Sequence, residues 1–190
     1  MIDTTDPTSV SHPRLSELFD QLAASRAELE ASVSDLNDSD AARRESADSW
    51  SVGEIVEHLR IAEAATARLL TRLLERALEQ GLGPETETTS ILARTSAAPP
   101  PSKVQAPEPM RPARDAALGA ALAGLRAARA DLLKVAAGGD GLALDSVVYP
   151  HFALGPLTFY EWLLFTSRHE RRHAAQIRAL RTALATPPSP

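Results

Sequence analysis

The sequence predicts an all-α protein, a four-helix bundle with a long proline-rich connection between its second and third helices. Three observations carry that expectation. Ala, Leu, Arg and Glu are abundant, and all favour helix over strand. Apolar residues recur at spacings of three and four in four separate stretches. Gly81, Gly138-Gly139 and clusters of proline mark the breaks between those stretches. With 190 residues there is ample material for one core, and the chain reads as a single domain over 1–190.

The first helix is expected from Pro13 to Leu36. Leu15, Leu18, Phe19, Leu22, Arg26, Leu29, Val33 and Leu36 form its stripe, and Pro13 suits a first helical turn. Asn37–Asp40 stops it, and 41–49 reads as a polar loop. His12 reads as a solvated residue near a frayed end. The second helix opens on Ser51 as N-cap, with Glu54 three residues on to complete a capping box. Trp50 and Ile55 occupy the positions of a hydrophobic staple. Its apolar face runs Ile55, Leu59, Ala62, Thr66, Leu69, Leu73 and Ala77, and Gln80-Gly81 ends it.

Residues 82–112 break the pattern. Pro99-Pro100-Pro101, Pro107, Pro109 and Pro112 forbid a regular helix. A connection this long allows the third helix to run parallel to the second by a crossover along the bundle. It either walls a pocket at one end or remains a solvated linker. The third helix is expected over Arg114–Ala137 and stops at Gly138-Gly139. Residues 140–155 form a second connection. The fourth helix is expected to start at Pro156 and to end before Pro187-Pro188.

The formal net charge is −5, and no basic patch with interleaved aromatics is present, so a nucleic-acid partner is not expected. There is no cysteine, which excludes thiolate ligands and an internal cysteine nucleophile. The N-terminus has no basic and apolar leader, and the apolar run around Trp162–Phe165 is too short to span a bilayer. The expected setting is the cytoplasm, with no membrane partner.

The chemistry gathers in the last helix. His169 and His173 are four apart, so one lies a turn above the other. Trp162, Phe165, Thr166, Ile177 and Leu180 share their stripe, whereas Arg168, Glu170, Arg171 and Arg172 fall outside it. Both imidazoles therefore point into the apolar face and need partners there. A divalent metal satisfies both, and so does a pair of core histidines hydrogen-bonded to other groups. His58 sits on the flank of the second helix's apolar face, as a half-buried polar residue or as a ligand. Glu63 reads as a group behind the ligands or as a helix-surface charge. His151, bracketed by Pro150 and Gly155 in the second connection, approaches the pocket, caps a helix or lies at the surface.

Together, Trp50-Ser51-Val52-Gly53-Glu54-Ile55-Val56-Glu57-His58-Leu59, then Gly155-Pro156-Leu157-Thr158, Glu161-Trp162-Leu163 and His169-x-x-x-His173-x-x-Gln176, resemble the DinB-like superfamily. That superfamily of four-helix-bundle metalloproteins includes the YfiT-like metal-dependent enzymes. The resemblance covers most of the chain in the right order. It implies that His58, His169 and His173 hold a divalent ion, usually zinc or nickel, with a position left open. Gln176 lies one turn beyond His173 and can orient a ligand or end the bundle as a polar residue; Glu170 points away from the histidines. The resemblance implies an enzyme acting on a small-molecule substrate. Either an exogenous low-molecular-weight thiol is transferred to an electrophile, or a metal-bound water hydrolyses the substrate. A non-catalytic metal- or ligand-binding stress protein is the other outcome. A homodimer is a further expectation from the family.

Overall fold

The computed structural model describes residues 9–93 and 105–185. Its elements are α1 (Pro13–Val33), a short α2 (Asp38–Ala41), α3 (Val52–Glu79), α4 (Leu118–Ala137), β1 (Val148–His151), β2 (Gly155–Thr158) and α5 (Phe159–Ala185). Single 3₁₀ turns lie at Glu108–Met110 and Leu144–Ser146. The four long helices form the expected bundle. Pro99-Pro100-Pro101 and Pro187-Pro188 lie outside the described residues. Among the described residues no helix is long and apolar enough to cross a membrane.

Side-chain contacts give the helix directions. On α1 and α5, Gln21 meets Arg171 and Ser32 meets Arg181, so these two run the same way. On α3 and α4, Gly53 approaches Ala116, Arg60 lies on Gly124, and Leu74 on Gly139. They too are parallel, which is what the long 80–117 crossover permits. The two pairs oppose each other: Arg129 donates to the Leu22 carbonyl, while Arg126 reaches Glu30.

Local chemistry explains the boundaries. Ser51 and Glu54 form the capping box reciprocally at the start of α3. Four expectations need correction. His12 is not a free terminal residue: its Nδ1 accepts the Arg14 N–H as the N-cap of α1, and its own N–H donates to Asp140. The 41–49 loop is preceded by α2, capped by Asn37. The helix expected from Arg114 starts at Leu118, because Asp115 adopts φ 58°, a left-handed turn that breaks a helix. Asp115 also donates its N–H to Glu54, which holds the turn against α3.

The fourth correction is the largest. Pro156 does not open the last helix. Gly155–Thr158 pairs antiparallel with Val148–His151 as a hairpin, and α5 begins at Phe159. Gly155 has φ 78°, and Thr158 with Glu161 makes a reciprocal cap at the start of α5.

The apolar core falls into two clusters. One gathers Leu18, Leu22, Leu70, Leu132, Phe159 and Leu163; the other gathers Leu29, Ile55, Leu59, Leu125, Ile177 and Leu180. Between them lies a buried polar layer with one charge from each long helix: Arg26, Glu63, Arg129 and Glu170. Ser25 Oγ donates to Glu170 in the same layer.

Candidate metal centre

His58 sits in the second turn of α3, where the capping box and Trp50 fix the helix start. The Trp50 and His58 rings lie 5.0 Å apart. His169 and His173 stand one turn apart on α5. The three rings converge. His58 Nε2 is 3.3 Å from His169 Nε2, and His173 Nε2 is 3.0 Å from His169 Nε2. One nitrogen from each lies within 4.8 Å of the others, a group that could hold a metal ion.

The outward nitrogens of His58 and His173 are tied. His58 Nδ1 donates to the Met110 carbonyl at 2.7 Å, and His173 Nδ1 donates to Gln176 Oε1 at 2.8 Å. Each bond places the proton on Nδ1 and leaves a lone pair on Nε2 facing the centre. Three nitrogen donors meeting at Nε2 cannot all satisfy one another, since a hydrogen bond needs one proton between two of them. A cation satisfies all three. Zn–N bonds of about 2.0–2.1 Å put tetrahedral ligand nitrogens roughly 3.3–3.4 Å apart and octahedral neighbours roughly 2.9 Å apart. The observed separations fall in that span, so the residues fit a divalent ion. Among the described residues no fourth histidine, cysteine or carboxylate joins the group.

Burial keeps the rings neutral. It lowers the proton affinity of His58, against the pull of the Met110 carbonyl. His169 falls well below the ordinary value, through burial first and then the repulsion that a second proton would meet beside His173 and His58. His173 drops to about 4, chiefly by burial. Neutral imidazole is the form that ligates metal.

Other singled-out residues take different places. His151 is buried at the end of β1 and stands outside the three-nitrogen group. Its ring packs on Phe165, which in turn stacks on His169 with centroids 5.3 Å apart. Gln176 is the partner that orients His173. From the described part of the connection, Met110 reaches His58. Glu63 is no surface charge: it is buried with Glu170, and both line a narrow cleft beside His169 and Phe165. Glu170 does lie away from the histidine nitrogens, but into the ionic layer rather than solvent. A roomier hollow of about 450 Å³, between Leu36, Leu118 and Arg126, touches none of the histidines and carries no comparable donor set.

Sequence reasoning missed this ionic layer. Its signals were Arg26, which interrupts the apolar stripe of α1, and Arg129, midway between Leu125 and Leu132 on the stripe of α4.

The sequence model of the DinB superfamily matches residues 21–177, a span that includes all three histidines. The chain belongs to the DinB superfamily. A crystal structure of TT2238, described as a four-helix bundle protein, resembles this DinB chain with a TM-score of 0.58 at 24% identity. The match covers 86% of this chain and 98% of that one, and it speaks for the fold. No curated protein matches.

Proposed function

We propose that His58, His169 and His173 hold one divalent ion, zinc or nickel, and that the protein is a metal-dependent enzyme transferring a low-molecular-weight thiol to an electrophile. The observation that carries this reading is the convergence of three Nε2 atoms, with the His58 and His173 rings locked by Met110 and Gln176. When bound, an ion with an open position lowers the pKa of a thiol or water that it holds.

The chain's own residues do the rest. Three neutral imidazoles leave the ion its full charge. Trp50 and Phe165 pack on the His58 and His169 rings. The absence of cysteine means the nucleophilic sulfur comes from outside. Hydrolysis instead needs a general base near the water. The carboxylates beside His169 are Glu63 and Glu170, and both are taken up by Arg26 and Arg129. That favours thiol transfer over hydrolysis.

Metal analysis of the purified chain beside His169→Ala and His58→Ala tests the site, with about one ion per chain expected and near-total loss in either variant. Mycothiol and bacillithiol, offered with an electrophile, test the reaction. Metal-loaded protein that neither binds these thiols nor consumes the electrophile would refute the enzyme.

A further inference from the structure

The described residues expose five large apolar side chains, and four of them, Val148, Tyr149, Phe152 and Leu154, lie within seven residues on one hairpin. Phe152 is 66% exposed. Apolar surface concentrated in this way marks a binding surface more often than a scatter of single residues does.

The hairpin is held firmly. Phe159 N–H donates to the Val147 carbonyl at 2.8 Å, and Trp162 Nε1–H to the Tyr149 carbonyl at 3.2 Å. The turn between the strands folds back on His151, whose Nδ1 accepts the Ala153 N–H at 3.1 Å. The proton of the neutral ring therefore sits on Nε2. No acceptor among the described residues meets that N–H. No fully enclosed side-chain polar atom lacks a partner, so the N–H reaches the surface.

Around it the rings are continuous. Phe152 and Phe165 each lie 4.6 Å from the His151 ring, and Trp162 lies 5.3 Å away. Phe165 then stacks on His169. One phenyl ring separates this free donor from the three-histidine centre.

We infer that His151, Phe152 and Phe165 form a subsite for an aromatic or conjugated ketone, whose apolar body packs on the two phenyl rings and whose oxygen accepts the His151 Nε2–H. The donor is neutral and set among aromatic rings. A carboxylate or phosphate would give up its hydration for one neutral hydrogen bond, whereas a ketone oxygen loses little. Conjugated ketones are also electrophiles toward thiols. The assignment as a substrate subsite thus rests on the function proposed above, but the binding itself does not require the ion.

The test titrates 2-acetylnaphthalene and 2-ethylnaphthalene, which differ in the acceptor oxygen, into the full chain with and without its metal. Quenching of tryptophan fluorescence reports binding, since Trp162 adjoins His151. We expect the ketone to bind about fivefold more tightly than the ethyl compound, the worth of one neutral hydrogen bond. His151→Phe brings the ratio to about one, and His151→Gln, which keeps an N–H, restores part of it. Phe152→Ala weakens both compounds by about threefold or more. A native chain that binds the two alike, or neither, overturns the subsite whatever the variants do; so does an unchanged ratio in folded His151→Phe. The ratio is expected to be the same with and without the metal, and metal-loaded protein that keeps this ratio but neither binds nor consumes a thiol counts against the metal-dependent reaction alone.

Discussion

Gln176 Oε1 lies 2.8 Å from His173 Nδ1, three residues back on the same helix. The amide is exposed at its outer side, yet it fixes which nitrogen of a buried ring carries the proton. Gln176→Leu removes the acceptor and frees the tautomer. Partners of this kind are worth about 10–100-fold in metal affinity. Competition with a chromogenic chelator is expected to show a zinc affinity lower by about that factor, with helix content unchanged. An affinity within twofold of the parent would detach Gln176 from the site.

The pH response of the metal-free chain follows from the same burial. All three rings have proton affinities below their ordinary value of 6.5, His173 down to about 4. Below pH 6.5 the unfolded chain takes up protons that the folded chain refuses. The stabilisation is therefore complete above 6.5 and drains away as pH falls toward 4. For His173 it amounts to roughly 3 kcal/mol at most. Glu54, whose burial is outweighed by Arg44, enters only below its ordinary 4.5, whereas Glu63, raised by burial, works against the fall. Tm of metal-stripped protein should thus fall between pH 6.5 and 5, and fall less in His173→Leu. A flat profile across that window would contradict buried neutral rings.

The ionic layer makes a prediction of its own. Arg129 donates to Glu63, to Glu170 and to the Leu22 carbonyl, all in the bundle interior. Arg129→Leu leaves two buried carboxylates with Arg26 as their one remaining cation in the layer. Breaking such a group from one side costs about 3–5 kcal/mol. Replacing Arg26, Glu63, Arg129 and Glu170 together by apolar residues of like volume costs little or stabilises. Urea unfolding midpoints separate the two outcomes. A single variant within about 1 kcal/mol of the parent would mean the layer is solvated.

What could be read in advance divides along physical lines. The histidine stripe of α5 and the capped start of α3 show in the sequence because helical period and capping are local. The meeting of His58 with His169 and His173 is not local; a resemblance supplied it. Met110 was invisible because its contribution is a backbone carbonyl, which every residue has. The hairpin was hidden by Pro156, which suits a first helical turn as well as an edge strand. Val147-Val148-Tyr149 and the positive-φ Gly155 were the signals for it. Glu63 and Glu170 looked like ordinary helix charges, since only packing decides which charges face inward.

Close helix approach connects stability to the site. A Cβ on Gly53 would lie 2.1 Å from the Ala116 carbonyl oxygen, and one on Gly124 would lie 2.4 Å from Arg60 Cδ. The Arg60 side chain is 36% exposed and can swing away. Ala116 cannot, because Asp115 before it is held by Glu54 and Arg44. Alanine also gains roughly 0.5–1 kcal/mol over glycine inside a helix. Gly124→Ala is thus expected to leave Tm unchanged or raised, and Gly53→Ala to lose about 1–3 kcal/mol. The displaced chain before α4 is continuous with Met110, six residues before Ala116, whose carbonyl holds His58. Gly53→Ala should therefore weaken zinc binding as well, while Gly124→Ala leaves it intact. Equal zinc affinities in the two variants, measured by chelator competition on folded protein, would show that the connection does not position His58.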